Sequence, residues 1–337
     1  MIRDGFWKDR NVFVTGCTGL LGSWLTMALV EAGANVTGLV RDHVPRSNLK
    51  WSGFDEAINI VRGPVEDYEL VLRAMNEYEV ETCFHLAAQT IVGIANRSPL
   101  STFETNIKGT WCLLEAARHT PTLRRIVVAS SDKAYGEQSE LPYREDAPLL
   151  GLHPYDASKS CTDILARTYF HTYGLPVAVS RCGNIYGGGD INFNRLIPGT
   201  MRSLYYGERP VIRSDGTPLR DYIFVKDAVS AYLTLARALD RGEIRGQAFN
   251  FAPERPVSVA ELVALMTKVS GKTHIEPDVR GKGRPDGEIY HQYLSCEKAG
   301  KMLGWRPAHT LEEGLAETYR WYRAFFDEAE RKRHEDP

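Results

Sequence analysis

The chain has 337 residues, enough for two domains or for one large core with a smaller lobe. Apolar residues make up 43% and charged residues 25%, and the formal net charge is -2, so the bulk balance does not point to nucleic acid or an anionic membrane as partner. The first ten residues hold no apolar signal core, and no apolar run approaches the ~20 residues that span a bilayer, so the expected location is the cytoplasm.

Asn11 to Thr15 reads as a β-strand ending in glycine, and Leu20 to Ala32 as a helix stopped by Gly33. Val36 to Val40, Ile58 to Arg62 and Thr82 to Leu86 are the next strands, with a helix over Glu66 to Tyr78. Ser98 can cap a helix whose first turn takes Pro99, and that helix runs to about His119. Arg125 to Ser130 is a fifth strand, Tyr155 to Tyr173 a long helix, and Val177 to Arg181 a sixth strand. Alternation of this kind predicts an α/β fold, a Rossmann-type doubly wound parallel sheet. After Arg181 glycine and proline become denser, which places a smaller α/β lobe there. The charged tail from Asp327 to Pro337 is expected to fray. The six cysteines show no CxxC spacing and no accompanying histidine cluster, so they are read as reduced thiols, with no metal site.

Thr15 to Gly22 carries Gly16, Gly19 and Gly22 in GxxGxxG spacing, between a strand and a helix. Gly16 permits the tight turn, Gly19 lets backbone approach a pyrophosphate, and Gly22 allows close helix packing. The helix N-terminus then favours the phosphate charge. The motif predicts a dinucleotide site that includes Thr18, Leu20 and Leu21. At the end of the second strand Asp42 suits a free ribose, while Arg41 suits a 2′-phosphate, so NAD and NADP both remain open. Residues 1–183 are expected to form the NAD(P)-binding domain, with segments returning from about 220–250 and 287–305. Residues 184–330 then supply most of the lobe.

Tyr155 and Lys159 are four apart at a helix start, which puts them on one face. A free phenol titrates near 10, too high for a base at neutral pH. A nearby Lys159 ammonium and an oxidised nicotinamide favour the phenolate, so that Tyr155 can take a proton from a hydroxyl as hydride leaves the same carbon. Ser131 lies just past the fifth strand, where ligands of open α/β sheets sit, and Asp132 and Lys133 follow it.

These residues resemble the extended short-chain dehydrogenase/reductases. So do His85 to Ala88, Thr105-Asn106 with Gly109-Thr110, Arg181 to Gly187, and Arg220-Asp221-Tyr222 with Val225 and Asp227. The resemblance runs from Asn11 to Trp321 and is greatest to the nucleotide-sugar 4,6-dehydratases. Ser131-Asp132-Lys133 and Leu86-Ala87-Ala88-Gln89 look closest to the CDP-glucose enzymes, while Asn194 to Val225 is similar to the GDP-mannose and dTDP-glucose enzymes.

The resemblance implies a three-stage reaction on a nucleotide-activated hexose, CDP-glucose first and GDP-mannose second. Tyr155 deprotonates the C4 hydroxyl as hydride leaves C4, water is lost across C5–C6, and the hydride returns to C6. The product is a 4-keto-6-deoxy sugar, and the NAD or NADP stays bound and is recycled. Asp132 is implied as the acid at C6. Most of these enzymes carry Glu as the C5 base where this chain has Lys133. A lysine is a base only when neutral, so Lys133 either abstracts that proton or binds and orients.

The resemblance further assigns Leu86, Ala87 and Ala88 to the cofactor. It assigns Gln89, Asn184, Leu196, Ile197, Arg220 and Arg284 to the substrate, the two arginines on its diphosphate, with Arg213 a weaker candidate. It also implies a homodimer through helices 99–119 and 155–173, with Trp111, Leu113, Leu114, Ile164 and Leu165 supplying apolar surface. The rival readings are a nucleotide-sugar 4-epimerase, which needs no acid–base pair at C5 and C6, and a non-catalytic NAD(P)-sensing protein.

Overall fold

Along Arg125–Ala129, Ile126 and Val128 join the apolar core on one side while Val127 joins that on the other, and all three are fully buried. A strand apolar on both faces belongs inside a parallel sheet covered by helices on both sides. The computed structural model describes residues 5–282 and 289–335. Its first strands are β1 (Asn11–Thr15), β2 (Asn35–Val40), β3 (Asn59–Arg62), β4 (Thr82–His85), β5 (Arg125–Ala129) and β6 (Val177–Cys182). Helices α1 (Leu20–Glu31), α2 (Asn48–Trp51), α3 (Tyr68–Glu77), α4 (Val92–Arg97), α5 (Pro99–Phe103), α6 (Gly109–Arg118) and α7 (Pro154–Tyr173) lie between or before them.

The second half holds short strands β7 (Asn184–Tyr186), β8 (Val211–Ile212), β9 (Leu219–Arg220) and β10 (Tyr222–Phe224). They are followed by β11 (Ala248–Phe251), β12 (Val257–Ser258), β13 (Asp278–Val279) and β14 (His291–Gln292). Its helices are α8 (Leu196–Tyr206), α9 (Val225–Ala238), α10 (Val259–Val269), α11 (Glu297–Leu303) and α12 (Leu311–Glu335). The main sheet has seven parallel strands in the order β11-β6-β5-β4-β1-β2-β3. Helices α1 and α9 cover one face, and α3, α6 and α7 the other. A third core packs α8, α10 and α12 around β7 and β10. Thus β11 and α9 return from the second half to the main sheet, and α11 packs on β11.

Two expectations are corrected. The helix from Ser98 to His119 is not one regular helix: a π-turn over Glu104–Lys108 separates α5 from α6. Such turns are single-residue insertions that hydrophobic periodicity does not reveal. Within this one, the Asn106 carbonyl accepts from Thr110 Oγ1 at 2.6 Å and Thr162 Oγ1 at 2.9 Å. The Asn106 amide meanwhile reaches Gln89 and Ser158. The charged tail does not fray as expected, because α12 continues to Glu335. Asp327 accepts from the Tyr205 hydroxyl at 2.6 Å and Glu328 from Trp51 Nε1 at 2.7 Å, which docks the tail on α8 and α2. Among the described residues no helix is long and apolar enough to cross a membrane.

Buried polar groups fasten α7. Arg181 on β6 holds Asp163 on α7 through two bonds of 2.7 and 2.9 Å, with both side chains inaccessible. Arg181 also donates to the Tyr135 hydroxyl at 2.7 Å, and Tyr135 donates to Asn250 Oδ1 at 2.7 Å. Removing one partner of such a pair leaves an uncompensated buried charge. Asp163→Ala is therefore expected to lower folding stability by about 3–5 kcal/mol in denaturant unfolding; a loss below about 1 kcal/mol contradicts the role given to the pair.

Candidate active site

The strand order reverses between β1 and β4, and in an open α/β sheet ligands sit outside the strand ends at such a point. A cleft of about 1210 Å³ opens there. Its wall contains Gly16, Thr18, Gly19, Leu20, Leu21 and Gly22 from the glycine turn, and Leu86, Ala87 and Ala88 after β4. Ser131, Asp132, Lys133, Tyr155 and Lys159 line it beside Asn184, Leu196 and Ile197 from the second half. Drug-sized ligands occupy about 300–1,000 Å³, so this space suits a dinucleotide with a second ligand.

The glycine turn fits a pyrophosphate. Gly16 has φ of 71°, and a Cβ there would stand 2.8 Å from Ala87 N. A Cβ on Gly22 would lie 2.0 Å from Gly16 O, so only glycine lets α1 approach the turn. No side chain caps the α1 N-terminus, which leaves its first N–H groups available to an anion. Thr15 was not picked out from the sequence, yet its Oγ1 accepts from Leu86 N and Ala87 N at 3.1 Å each and fixes the loop opposite. At the far end, Arg41 Nε donates to Asp42 Oδ2 at 2.7 Å in an exposed pair, so both residues reach the cofactor end of the cleft.

The catalytic candidates converge where β5 ends. Ser131 Oγ donates to Asp132 Oδ1 at 2.9 Å and accepts from Lys133 N at 3.2 Å, and its side chain acts to lower the Tyr155 phenol. Lys159 is buried and donates from Nζ to Ala129 O at 2.7 Å, and Ser130 Oγ donates to Lys159 O at 3.2 Å. These bonds set the register of α7 on β5.

The electrostatics of the phenol differ from the expectation. Tyr155 is pushed up to about 12, first by burial and then by Asp132, while Ser131 and Arg195 act the other way. The Lys159 ammonium, bonded to a backbone carbonyl, is not among its resolved influences. Ligand-free protein thus holds Tyr155 as the neutral phenol. Neighbouring His85 is kept neutral, lowered to about 3 by burial and then by Lys159. Its ring links Thr15 on β1 to Thr110 on α6.

Two assigned substrate residues stand elsewhere among the described residues, and a third is not described. Arg220 does not line the cleft: its guanidinium bonds the carbonyls of Leu219, Tyr290 and Ile289, so those donors are already committed. Gln89 is a loop staple that accepts from Ile91 N at 2.9 Å and receives both arms of Asn106 on its backbone. Arg284 lies outside the described residues. Asn184, by contrast, lies in the cleft and donates to Asp221 O at 3.1 Å, and Leu196 and Ile197 open α8 on its wall. Arg213 also lines the cleft and donates to Asn194 O at 2.9 Å.

Arg195, which sequence reasoning passed over, bonds Asp190 Oδ2 and Thr90 Oγ1 at 3.0 Å each and so bridges the two walls. Its position just before Leu196-Ile197-Pro198 was the available signal.

Residues 13–318 match the family model described as GDP-mannose 4,6 dehydratase. The chain belongs to this family. It is 32% identical to a CDP-glucose 4,6-dehydratase of Salmonella typhimurium, covering 96% of this chain and 94% of that one. It is 31% identical to a dTDP-glucose 4,6-dehydratase of Xanthomonas campestris, with 92% of each covered. A solved UDP-glucose 4-epimerase of Thermotoga maritima superposes with a TM-score of 0.85 at 29% identity, covering 94% of this chain and 99% of that one. A dTDP-glucose 4,6-dehydratase of Bacillus anthracis in complex with NAD gives 0.82 at 27%, covering 94% and 98%.

Burial pushes Lys159 down to about 8 from an ordinary 10.5. Between those values the unfolded chain keeps a proton that the folded chain has released, so raising the pH through this window favours the folded state. Relative to Lys159→Met, the wild type is expected to gain roughly 3 kcal/mol of stability from pH 8 to 10.5, read by paired denaturant melts. A constant difference across that window removes the buried ammonium from the account.

Proposed function

We propose that this chain is a nucleoside-diphosphohexose 4,6-dehydratase, and that CDP-glucose is its first substrate and GDP-mannose its second. The observation that carries the reading is the meeting of Tyr155, Ser131, Asp132 and Lys133 in one cleft with the glycine turn. Bound NAD or NADP supplies a hydride acceptor that becomes the donor for the last step, and its oxidised ring adds positive charge. The glycine turn and the uncapped α1 N-terminus hold its pyrophosphate, and Arg41 and Asp42 face its adenosine ribose.

A neutral phenol raised by burial releases its proton when positive charge comes beside it. Tyr155 then takes the C4 hydroxyl proton while Ser131 holds that oxygen. With C4 as a ketone the C5 proton becomes acidic. Asp132 delivers a proton to the departing C6 oxygen, and Lys133 stands on the same turn for the C5 side. Asn184, Leu196 and Ile197 bind the nucleotide end, and residues 184–330 form most of that lobe beside a cofactor domain of residues 1–183. Likeness to a 4-epimerase extends to the fold, but epimerisation has no work for an acid at C6. Six unpaired thiols support a reducing, cytoplasmic setting.

The active form is a homodimer. On the expected helices Leu100, Trp111 and Ile164 are 73%, 44% and 53% exposed, and Phe103 lies beside them. Leu113 and Leu114, assigned with them, are instead fully buried within their own chain, and Leu165 packs on the same core. Trp111→Glu with Ile164→Glu is expected to shift the sedimenting species from dimer to monomer; an unchanged mass places the interface elsewhere.

Incubation with CDP-, GDP-, dTDP- and UDP-hexoses is expected to yield a product lighter by one water, seen by mass spectrometry. Tyr155→Phe should reduce turnover by about 10²–10⁴-fold with cofactor affinity nearly intact. Equal turnover in that variant removes Tyr155 from the chemistry, and a product of unchanged mass with inverted C4 favours the epimerase.

A further inference from the structure

One buried side chain holds both members of the Asp132–Lys133 pair. Gln292 on β14 is fully inaccessible. Its Nε2 donates to Asp132 O at 2.9 Å, and its Oε1 accepts from Lys133 Nζ at 3.0 Å. The Asp132 carbonyl fixes the orientation of the amide, because a carbonyl only accepts and so must face Nε2, which leaves Oε1 toward Lys133. The strand behind it is firmly placed. β14 runs parallel to β9 with Gln292 opposite Arg220, and Arg220 bonds the carbonyls of Ile289 and Tyr290 just before it. Beyond it, Tyr293 O accepts from Tyr143 N at 2.9 Å and Leu294 N donates to the buried Asp221 Oδ2 at 2.7 Å. Arg220 therefore braces this strand.

We propose that Gln292 is a positioning residue for the elimination step, holding the Lys133 amine beside the sugar's C5 through a neutral acceptor while it anchors the backbone of Asp132. This rests on the dehydratase reading above. In the step, the C5–H bond breaks and its proton goes to the Lys133 amine. The electron pair becomes the C5–C6 double bond, and the C6–O bond breaks as that oxygen leaves as water with the proton of Asp132. The neutrality of the acceptor is the point. Lys133 already faces Asp156 on α7. A second carboxylate in place of the amide would favour the ammonium, which cannot accept a proton. The amide orients the nitrogen without adding that charge.

The test uses purified full-length holoenzyme, wild type against Gln292→Glu and Gln292→Leu. The substrate is whichever nucleoside diphosphohexose the wild type converts. Gln292→Glu keeps the shape and size of the side chain, so it serves as the variant that spares the fold. Three quantities are followed: reduced-nicotinamide absorbance after mixing, the rate of ketone product, and KM. Product formation is expected to fall at least roughly tenfold in both variants while reduced nicotinamide accumulates above the wild-type level and KM stays within about threefold. Oxidation at C4 is thereby separated from elimination, a split that loss of packing does not produce. Product rates within about twofold of wild type, or oxidation and elimination lost in equal measure, overturn the assignment. If the wild type makes no ketone from any sugar nucleotide, the dehydratase reading fails and this inference falls with it. Ketone from the wild type and unaltered variants sinks only the role of Gln292.

Discussion

The bidentate pair between Arg181 and Asp163 governs the working geometry of this protein. It joins β6 to α7 in the interior, where neither charge meets water. An Arg fork on a carboxylate specifies direction as well as distance. With α7 held at that depth, Lys159 Nζ reaches the last carbonyl of β5, and Tyr155 meets Ser131 just beyond it. A small shift of the helix along the sheet would break every one of these contacts. A buried polar network running from Asn250 through Tyr135 and Arg181 to Asp163 thus fixes the helix that carries Tyr155 and Lys159.

The same burial sets the chemistry. A phenol and an amine stand close together in buried positions, and burial acts on each according to its charge type. Burial drives Tyr155 toward its neutral phenol and Lys159 toward its neutral amine. Activation then depends on positive charge arriving with a bound ring. Arg195, bridging Thr90 and Asp190 across the opening, contributes in the same direction from the second wall. Both halves of the chain therefore influence one hydroxyl.

Much of this was legible in the residues because local patterns carry local physics. GxxGxxG after a strand places two positions, Gly16 and Gly22, where a Cβ does not fit, and the clash of a Gly22 Cβ with Gly16 O states why. YxxxK at a helix start puts two groups on one face wherever the helix lies. The π-turn at Glu104–Lys108 was not legible, because one inserted residue leaves the apolar spacing on either side intact. Arg220 was assigned to phosphate by its place in a motif; three of its five donors go to backbone carbonyls. Gln292 escaped notice because an isolated glutamine in a short strand has no sequence signature.

From its residues alone, this chain determined the alternation of strands and helices, the parallel sheet, the glycine cradle and the placing of Tyr155 and Lys159 on one helix face. Each of these follows from spacing along the backbone, which periodicity and side-chain chemistry express directly. Only the tertiary structure decided which distant groups meet: Gln292 with Lys133 across 159 positions, Arg181 with Asp163 across 18, and α12 with α2 at the far end of the chain. Such encounters depend on how separated segments pack, and the charge state of a buried group depends in turn on the neighbours that packing supplies.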